Sequence, residues 1–398
     1  MSRATRFNSS LRTADAASTF QATALPAAVG PRSGAFDALT GVYLPTTAQQ
    51  TLRRSKQALA TARAGLAQVN LLCAGDSETA GLGVNAGGTY IPANAFPGRL
   101  ATYLNALGYA KVGTGWVYPA HNLTAPQEAR ITTTGSAWTT TGPQLYATST
   151  GSSTITFTSD VAGTIAEFQY LPTSAAFSYQ IDGGSAVNVT PAGSGTTPVV
   201  VSVTGLSSSA HTVTINASAA GVLVQAFQVR AATGGLLVSN AGIAGSTALN
   251  WLQTAGTPSG VGNVVSPAPD ITLLALGIND ARSGGSAFDG TPAQFKANYG
   301  PVISRFLVSL NKPVWLCVQV PPAVADQTGG HYSWAAWQSA IYDLADIWGC
   351  PLLDLTYHFG GYQGQTASNT DGLYYDGLHP SDKGYALVAH AWATALTR

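Results

Sequence analysis

The chain has 398 residues, of which 45% are hydrophobic and 9% are charged, and its 18 basic and 18 acidic side chains give a formal net charge of zero. This length and apolar content predict about two to three domains with sizeable cores. So few charges leave no basic surface for nucleic acid and no acidic tail. Because no run of about twenty apolar residues is present, the sequence predicts no membrane-spanning segment.

Residues 1–50 keep neither a helical nor a strand period for long, and Pro, Gly, Ser and Thr recur throughout. We predict an extended N-terminal arm, with two interpretations open: an arm that docks on a virion partner or a neighbouring subunit, or a partly disordered leader. The segment lacks the continuous apolar region of a secretory signal. A protein of this kind that acts outside a cell would have to leave by another route.

The stretch Leu71 to Gly81 is an apolar run that stops abruptly at Gly75-Asp76-Ser77. The pattern predicts a β-strand that delivers the Ser77 hydroxyl to the carboxyl edge of a sheet, where a helix begins. Backbone N–H groups and the positive end of a helix would then lie beside a potential nucleophile. Taken alone, Gly-Asp-Ser is also ordinary turn chemistry.

Between residues 128 and 232 the sequence changes to short alternating runs with almost no helical period, and Asp182-Gly183 is a hairpin signal. These features predict a β-sandwich or jelly roll inserted into the chain. Five aromatic side chains in or near this range could stack on sugar rings, although aromatic residues of a sandwich are more often core. They are Trp138, Tyr146, Tyr170, Phe177 and Tyr179.

From Leu236 onward, apolar strands alternate with helical patterns near 291–310 and 333–348. Strands joined by such long crossovers predict a parallel sheet with helices on both faces and ligands at the carboxyl ends of the strands. Two strand ends carry polar or glycine-rich signals: Val238 to Thr247, VSNAGIAGST, and Asp270 to Asp280, DITLLALGIND.

Near the end of the chain, Tyr375 to Tyr385 reads YDGLHPSDKGY and precedes a predicted helix over Ser381 to Leu396. A serine nucleophile needs a base to take its proton and a carboxylate to hold that base in the right tautomer. Asp376 and His379, three residues apart, can supply both groups from one segment. The alternative is a plain turn followed by a surface histidine.

The four segments GDS, NAGIAGST, GIND and DGLHP, in that order and at those strand ends, resemble the signature blocks of the SGNH, or GDSL, hydrolase family. The resemblance implies an α/β fold, a flavodoxin-like three-layer α/β/α parallel sheet, with the β-sandwich inserted between the first and second blocks. We therefore predict an arm over 1–50, a hydrolase domain made of 51–127 and 233–398, and the inserted domain over 128–232.

The resemblance implies a catalytic triad. Ser77 would be the nucleophile, His379 the general base and then the general acid, and Asp376 the residue that orients His379. No cofactor is implied. The three cysteines, Cys73, Cys317 and Cys350, lack metal-ligand spacing and the histidines are scattered, so we infer no metal.

The resemblance also implies an oxyanion hole made by the N–H of Ser77, a glycine N–H of the second block and the Asn279 side chain. Gly245 is the preferred glycine because it follows Asn240 by five residues, although Gly242 lies in the same turn. Such donors are often the largest single catalytic contribution to acyl transfer.

Glu78 departs from the family pattern, which commonly has leucine at this position. A carboxylate in the first turn of a helix suits the helix dipole. We interpret Glu78 as structural, or as a modest influence on the substrate pocket, and not as a sign of lost activity.

The function implied is that of a serine esterase acting on a small acyl group, most simply acetyl, of a cell-wall or surface polysaccharide. The inserted domain is similar in architecture to carbohydrate-binding-module-like insertions of some SGNH esterases. Acyl transfer to a sugar hydroxyl and a lipid or short-chain substrate are alternatives. A further alternative is a non-catalytic binding or structural virion protein. The low charge and many Ser and Thr residues favour an extracellular or phage-tail setting.

Overall fold

The computed structural model describes residues 32–84, 94–120, 128–139, 145–253, 260–281, 291–320, 334–359 and 372–398. Its strands fall into one seven-stranded sheet and two five-stranded sheets. In chain order the strands are β1 (Ala35–Asp37), β2 (Val42–Leu44), β3 (Gln68–Gly75), β4 (Ile131–Gly135), β5 (Trp138–Thr139), β6 (Ala147–Ser149), β7 (Ser153–Thr158), β8 (Gly163–Tyr170), β9 (Phe177–Ile181), β10 (Val187–Val189), β11 (Val199–Ser209), β12 (Thr212–Ala217), β13 (Leu223–Arg230), β14 (Gly235–Gly242), β15 (Ile271–Ala275), β16 (Val314–Val318) and β17 (Leu352–Asp354).

The helices lie almost entirely outside the region of the two smaller sheets. They are α1 (Gln49–Arg63), α2 (Ser77–Ala80), α3 (Phe96–Ala106), α4 (Ala248–Leu252), α5 (Gly260–Val264), α6 (Ile278–Ala281), α7 (Pro292–Ser304), α8 (Trp334–Trp348), α9 (Leu355–His358) and α10 (Asp382–Thr397). A short π-helical turn, Arg305–Ser309, continues α7. Among the described residues, no helix combines the length and apolar character needed to cross a lipid bilayer.

The seven-stranded sheet has the order β1-β2-β17-β16-β15-β3-β14. Strands β14, β3, β15, β16 and β17 are parallel to their neighbours in this set. Numbered along the chain, these five have the order 2-1-3-4-5, which is the flavodoxin-like arrangement. All five side chains of β15 and all five of β16 are buried, as expected for parallel strands covered on both faces. The predicted α/β fold is confirmed.

Helices cover both faces of this sheet, so the sheet is the middle of three layers. On one face Leu71 and Cys73 of β3 pack in a cluster with residues of α1, α3 and α10, among them Trp392. On the other face Leu72 and Ala74 belong to a cluster that includes residues of α4, α7 and α8. The alternation along β3 places successive side chains on opposite faces.

Part of the predicted arm belongs to the main sheet. Residues 35–37 and 42–44 form β1 and β2, and β2 pairs antiparallel with β17. Tyr43 is buried, and its hydroxyl donates to Asp346 Oδ1 over 2.7 Å. Strands of three residues are too short to show an alternating pattern, so the sequence did not reveal them. Residues 1–31 of the arm lie outside the described residues, and the boundaries of the domains remain predictions.

Two five-stranded sheets, with orders β10-β9-β12-β7-β4 and β11-β8-β13-β6-β5, form a sandwich between the first and second signature blocks. Asp182 and Gly183 form the turn predicted for them, with φ of 52° and 69° and a hydrogen bond from Gly184 N to Ile181 O. Of the five candidate sugar-stacking aromatics, Tyr179 is half-buried and the other four are buried. Core packing therefore accounts for most of this set.

Residues 111–117 join the sandwich to the edge of the main sheet. Val117 pairs with Phe227 of β13 and with Asn240 of β14, and Gly113 pairs with Arg230. The Arg230 guanidinium makes two hydrogen bonds to Glu167, of 2.7 and 2.8 Å, and one of 2.8 Å to Gln68 at the start of β3. The sandwich is thereby fixed beside the strand that leads into the second signature block.

The buried His211 of the sandwich predicts a pH-dependent stability. Its Nδ1 lies 2.7 Å from Asp182 Oδ2, and its Nε2 lies 2.8 Å from Ser207 O and 3.1 Å from Gly163 O. Burial lowers the pKa of His211, but hydrogen bonds to Asp182 and to these carbonyls outweigh burial and raise the pKa above its usual 6.5.

Because the pKa of His211 is raised in the folded state, its contribution to the free energy of unfolding is fully present below pH 6.5. This contribution is lost as the pH rises through the pKa of His211 in the folded protein. We expect the thermal unfolding midpoint of the sandwich to fall on alkalinisation in the wild type and to change less in His211→Gln. Equal pH dependence in the two proteins would contradict this interpretation.

Candidate active site

The nucleophile turn follows β3 directly. Asp76 caps α2, and its Oδ1 accepts a hydrogen bond of 3.1 Å from Glu78 N. The N–H groups of Ala80 and Gly81 bond to the carbonyls of Asp76 and Ser77, each at 2.9 Å. The apolar strand thus ends in a hydrogen-bonded turn that fixes the backbone on both sides of Ser77.

The structure brings the three predicted triad residues together from opposite ends of the chain. His379 Nε2 lies 2.9 Å from Ser77 Oγ, and His379 Nδ1 lies 2.8 Å from Asp376 Oδ2. Ser77 and His379 are 4% and 8% exposed, whereas the side chain of Asp376 is 43% exposed. The segment 376–379 lies just before α10, whose cap is Ser381.

The Asp376 carboxyl is ionised in this arrangement. Burial raises its pKa, but the hydrogen bond from the His379 side chain and backbone bonds from His379 and Leu378 lower the pKa to about 2. Its Oδ1 accepts those two backbone bonds at 2.6 and 2.7 Å. Because Oδ2 of the Asp376 carboxylate accepts a hydrogen bond from His379 Nδ1, the proton of the neutral imidazole is favoured on Nδ1. His379 Nε2 is then free to accept the proton of Ser77.

The second and third signature blocks lie beside the nucleophile strand. Ile243 N donates to Gly75 O over 2.9 Å, which ties the glycine turn to the end of β3. Asn279, at the start of α6, is 9% exposed, and its Nδ2 donates to Ser246 O over 3.0 Å. An amide has two N–H donors, so Asn279 keeps a second one for a substrate oxygen.

Gly242 and Gly245 have different surroundings. A Cβ on Gly242 would lie 2.1 Å from Ala80 N, so β14 and α2 can pack this closely only around a glycine. The N–H of Gly242 also donates to Asn240 Oδ1 over 3.0 Å. Gly245 has a φ of +71°, and apart from its two chain neighbours no described residue has an atom within 4 Å of the point where its Cβ would stand. Gly245 is exposed, and its N–H is the better candidate for the oxyanion hole.

Gln319 is a site residue that the sequence reasoning missed. It follows β16, is fully buried, and its Nε2 donates to both carboxylate oxygens of Asp76, at 3.1 and 3.0 Å. Its Oε1 accepts from Ile278 N over 3.0 Å. A polar residue directly after an apolar strand was the available signal, because ligands and functional groups gather at strand carboxyl ends.

Asp280 is also buried beside the site. Its two oxygens accept from Ala248 N at 3.3 and 3.2 Å, at the start of α4. Burial, together with the nearby charge of Asp76, raises the pKa of Asp280 to about 7, although the Ala248 hydrogen bond opposes the shift. Within the described ranges, no three His, Cys, Asp or Glu side chains are grouped to hold a metal ion.

The two glycines predict different mutational effects. Gly242→Ala must push α2 away and displace Ser77, and a misplacement of about 1 Å can reduce the rate by roughly 100-fold. Gly245→Ala keeps the backbone N–H and has room for a methyl group, so it should cost only about 1–2 kcal/mol of left-handed backbone energy. The steady-state rates of p-nitrophenyl acetate hydrolysis by the two variants, measured together with their unfolding midpoints, test whether Gly242→Ala loses more activity than Gly245→Ala. A larger rate loss in Gly245→Ala would contradict it.

Comparisons with known proteins identify the family to which part of the chain is similar. The model of the family described as GDSL-like Lipase/Acylhydrolase matches residues 204–387. That span contains Gly245, Asn279 and the segment 376–379 but begins after Ser77. No match was found among curated proteins.

A solved peptidoglycan O-acetylesterase superposes with a TM-score of 0.67 at 20% identity, covering 86% of this chain and 95% of that chain. A two-domain esterase active on acetylated mannans gives a TM-score of 0.41 at 14% identity, and the match covers 87% of this chain and 52% of that chain. A family two carbohydrate esterase from Clostridium thermocellum gives a TM-score of 0.30 at 14% identity, and the match covers 67% of this chain and 97% of that chain. The first comparison shows a shared fold, and the other two scores are too low to carry an argument.

The family match and the arrangement of its signature blocks on a flavodoxin-like sheet lead to one conclusion. The chain contains a GDSL-like lipase/acylhydrolase domain of the SGNH type and is a serine esterase, with a β-sandwich inserted between its first and second signature blocks.

Proposed function

We propose that the chain removes O-acetyl groups from a cell-wall or surface polysaccharide, with Ser77, His379 and Asp376 as its catalytic triad. The observation that carries the proposal is the hydrogen-bonded chain from Ser77 Oγ through His379 to Asp376, with distances of 2.9 and 2.8 Å. A nucleophile, a base and an orienting carboxylate in this geometry can perform acyl transfer without a cofactor.

In the first half of the reaction, Ser77 Oγ attacks the ester carbonyl carbon and His379 Nε2 takes the hydroxyl proton. The former carbonyl oxygen becomes negative and accepts hydrogen bonds from Ser77 N, Gly245 N and Asn279 Nδ2. Donors that are already in place when the charge develops stabilise it most effectively. The bond to the sugar oxygen then breaks, and His379 gives that oxygen its proton.

In the second half, water takes the place of the released sugar hydroxyl. His379 Nε2 accepts a proton from water as the water attacks the acyl-serine. The collapse of this second intermediate returns the proton to Ser77 and releases the carboxylic acid. Asp376 stays ionised throughout, because hydrogen bonds from His379 and Leu378 outweigh burial and keep its pKa near 2.

The choice of substrate is supported by the likeness in fold and by the burial of the catalytic side chains. The shared fold of a peptidoglycan O-acetylesterase raises the expectation of an acetylated polysaccharide, although a fold alone does not determine a substrate. Ser77 and His379 are nearly buried, which favours a small acyl group over a long one. Transfer to a sugar hydroxyl in place of water uses the same acyl-serine.

An extracellular or virion setting is part of the proposal. Only 9% of the residues are charged, and Ser and Thr are numerous, which favours an extracellular or virion surface role. Mass spectrometry of purified particles, or of culture medium, distinguishes a phage-tail component from a secreted enzyme. Finding the protein only inside cells would contradict both settings.

Ser77→Ala tests the function directly. We expect acetate release from O-acetylated peptidoglycan and from acetylated xylan or mannan, and a loss of several orders of magnitude in the variant. Ser185→Ala is a matched control, because Ser185 is exposed in the turn between β9 and β10. It should behave as the wild type.

Chain-length dependence separates the alternatives. With p-nitrophenyl esters of increasing length, we expect the highest kcat/KM for acetate. A preference for long chains would indicate a lipid substrate. No Ser77-dependent turnover on esters or on any acetylated polysaccharide would contradict the proposed esterase and favour a binding role for the fold.

A further inference from the structure

Glu78 follows the nucleophile in the first turn of α2, but its side chain is buried. A carboxylate that serves the dipole at the start of a helix is normally solvated, but Glu78 is 4% exposed. It adjoins Asp76, which is fully buried. The Glu78 side chain therefore projects into the protein, directly behind the turn that carries Ser77.

The Glu78 side chain lines a small cavity between α2, α3, β15, β16 and α10. The cavity has a volume of about 10 Å³, enough for about one water molecule. Its lining is largely apolar and includes Phe96, Leu355 and Val388. Among the described residues, no Lys or Arg lines the cavity.

Three polar atoms in the lining residues lack a hydrogen-bond partner among the described residues. They are Glu78 Oε1, Thr79 Oγ1 and Trp392 Nε1. A carboxylic acid can donate as well as accept, whereas a carboxylate only accepts. A single water in the cavity could accept from Trp392 and Thr79 and donate to Glu78, and a neutral Glu78 could in addition donate to it.

The acidic side chains near Glu78 are Asp76 and Asp376, and the other titratable groups that face it are neutral thiol and phenol groups. The titratable groups that face it from the neighbouring segments are Asp76, Asp376, Cys317, Tyr374 and Tyr385. The side chain of His379 does not line the cavity and is hydrogen-bonded to Asp376 and to Ser77. Within the described part of the chain, an ionised Glu78 would thus be a buried charge without a cation, an arrangement that is strongly unfavourable.

Burial, and then the charge of Asp76, raise the pKa of Glu78 well above its usual value. Hydrogen bonds from Val320 N–H and from the Gln319 side chain lower the pKa but do not cancel the shift. The burial of Glu78 without a neighbouring cation and the upward shift of its pKa both favour the protonated, neutral form.

We propose that Glu78 is a positioning residue that acts as a neutral carboxylic acid, and that loss of its proton at alkaline pH displaces α2 and lowers the activity of Ser77. The catalytic part rests on the proposed function of Ser77. An ionised Glu78 must either draw water into the cavity or move its side chain out of the cavity. Each of these changes shifts α2, the short helix that begins at Ser77. The proposal gives the esterase an alkaline limit that does not arise from the triad.

The sign of the effect on stability follows from linkage. Because the carboxyl is neutral in the folded protein, the folded state holds a proton that the unfolded state has lost above pH 4.5, the usual value for Glu. Stability contributed by Glu78 is complete below that pH and falls as the pH rises through the folded pKa. A side chain that cannot ionise removes this loss.

The test is Glu78→Gln, which keeps the shape and the donor and acceptor of the neutral acid. We expect kcat/KM for p-nitrophenyl acetate within about threefold of wild type at neutral pH, and an alkaline decline that moves upward or disappears. The unfolding midpoint of the variant should exceed that of the wild type increasingly as the pH rises. Glu78→Ala, which removes the group, should be impaired at every pH.

Asp382→Asn is the matched control, because Asp382 is a 63% exposed carboxylate in the first turn of α10. Its pH profiles should follow those of the wild type. The proposal is overturned if Glu78→Gln shows the wild-type alkaline decline, or if it loses activity at neutral pH while remaining folded. If the wild type lacks Ser77-dependent turnover, the proposed function fails, and the pH dependence of unfolding still decides whether Glu78 is neutral.

Discussion

The pair of hydrogen bonds from the Gln319 side-chain amide to the Asp76 carboxylate is the interaction on which the site depends. Asp76 follows β3 and Gln319 follows β16, while Gln319 also accepts from Ile278 at the start of α6. Three strand ends are thereby held at one edge of the sheet. Asp76 in turn caps α2, so the backbone of Ser77 is fixed from both sides before any substrate arrives.

Four carboxyl groups lie at this edge of the sheet, and their different environments give them different pKa values. Asp376 is partly exposed and its hydrogen bonds outweigh burial, which holds its pKa at about 2. Burial raises the pKa of Asp76 to about 6 and that of Asp280 to about 7, and it also raises the pKa of Glu78 well above its usual value. One carboxylate is thus firmly charged, next to the histidine that needs it, while the buried ones are held nearer to neutrality. Environment assigns the roles of chemically similar groups in this way.

The sequence could predict the sheet and much of the site because both depend on local patterns. Apolar runs such as that ending at Ser77 identify parallel strands, and the carboxyl ends of such strands meet at one edge. The spacing of Asp376 and His379 then identified one segment that could supply both the general base and the carboxylate that orients it. The contact between His379 and Ser77 joins residues 302 positions apart, and the order of the strands explains it.

What the sequence could not predict depends on contacts between distant segments. Strands β1 and β2 exist because β17 offers a partner, as Leu353 pairs with Val42. Glu78 is buried where residues of α10 and β16 line the same cavity, although a carboxylate at a helix start is normally solvated. The bridging role of Gln319 required knowledge of which strands are neighbours. In each case the deciding neighbour is hundreds of residues away.

Covalent labelling tests the central claim, the activation of Ser77 by His379, most directly. After treatment with a fluorophosphonate, peptide mass spectrometry should place one phosphonyl group on Ser77, since the reagent requires an activated serine. His379→Ala should abolish the labelling without unfolding the protein. Labelling at another serine, or equal labelling without His379, would contradict the account.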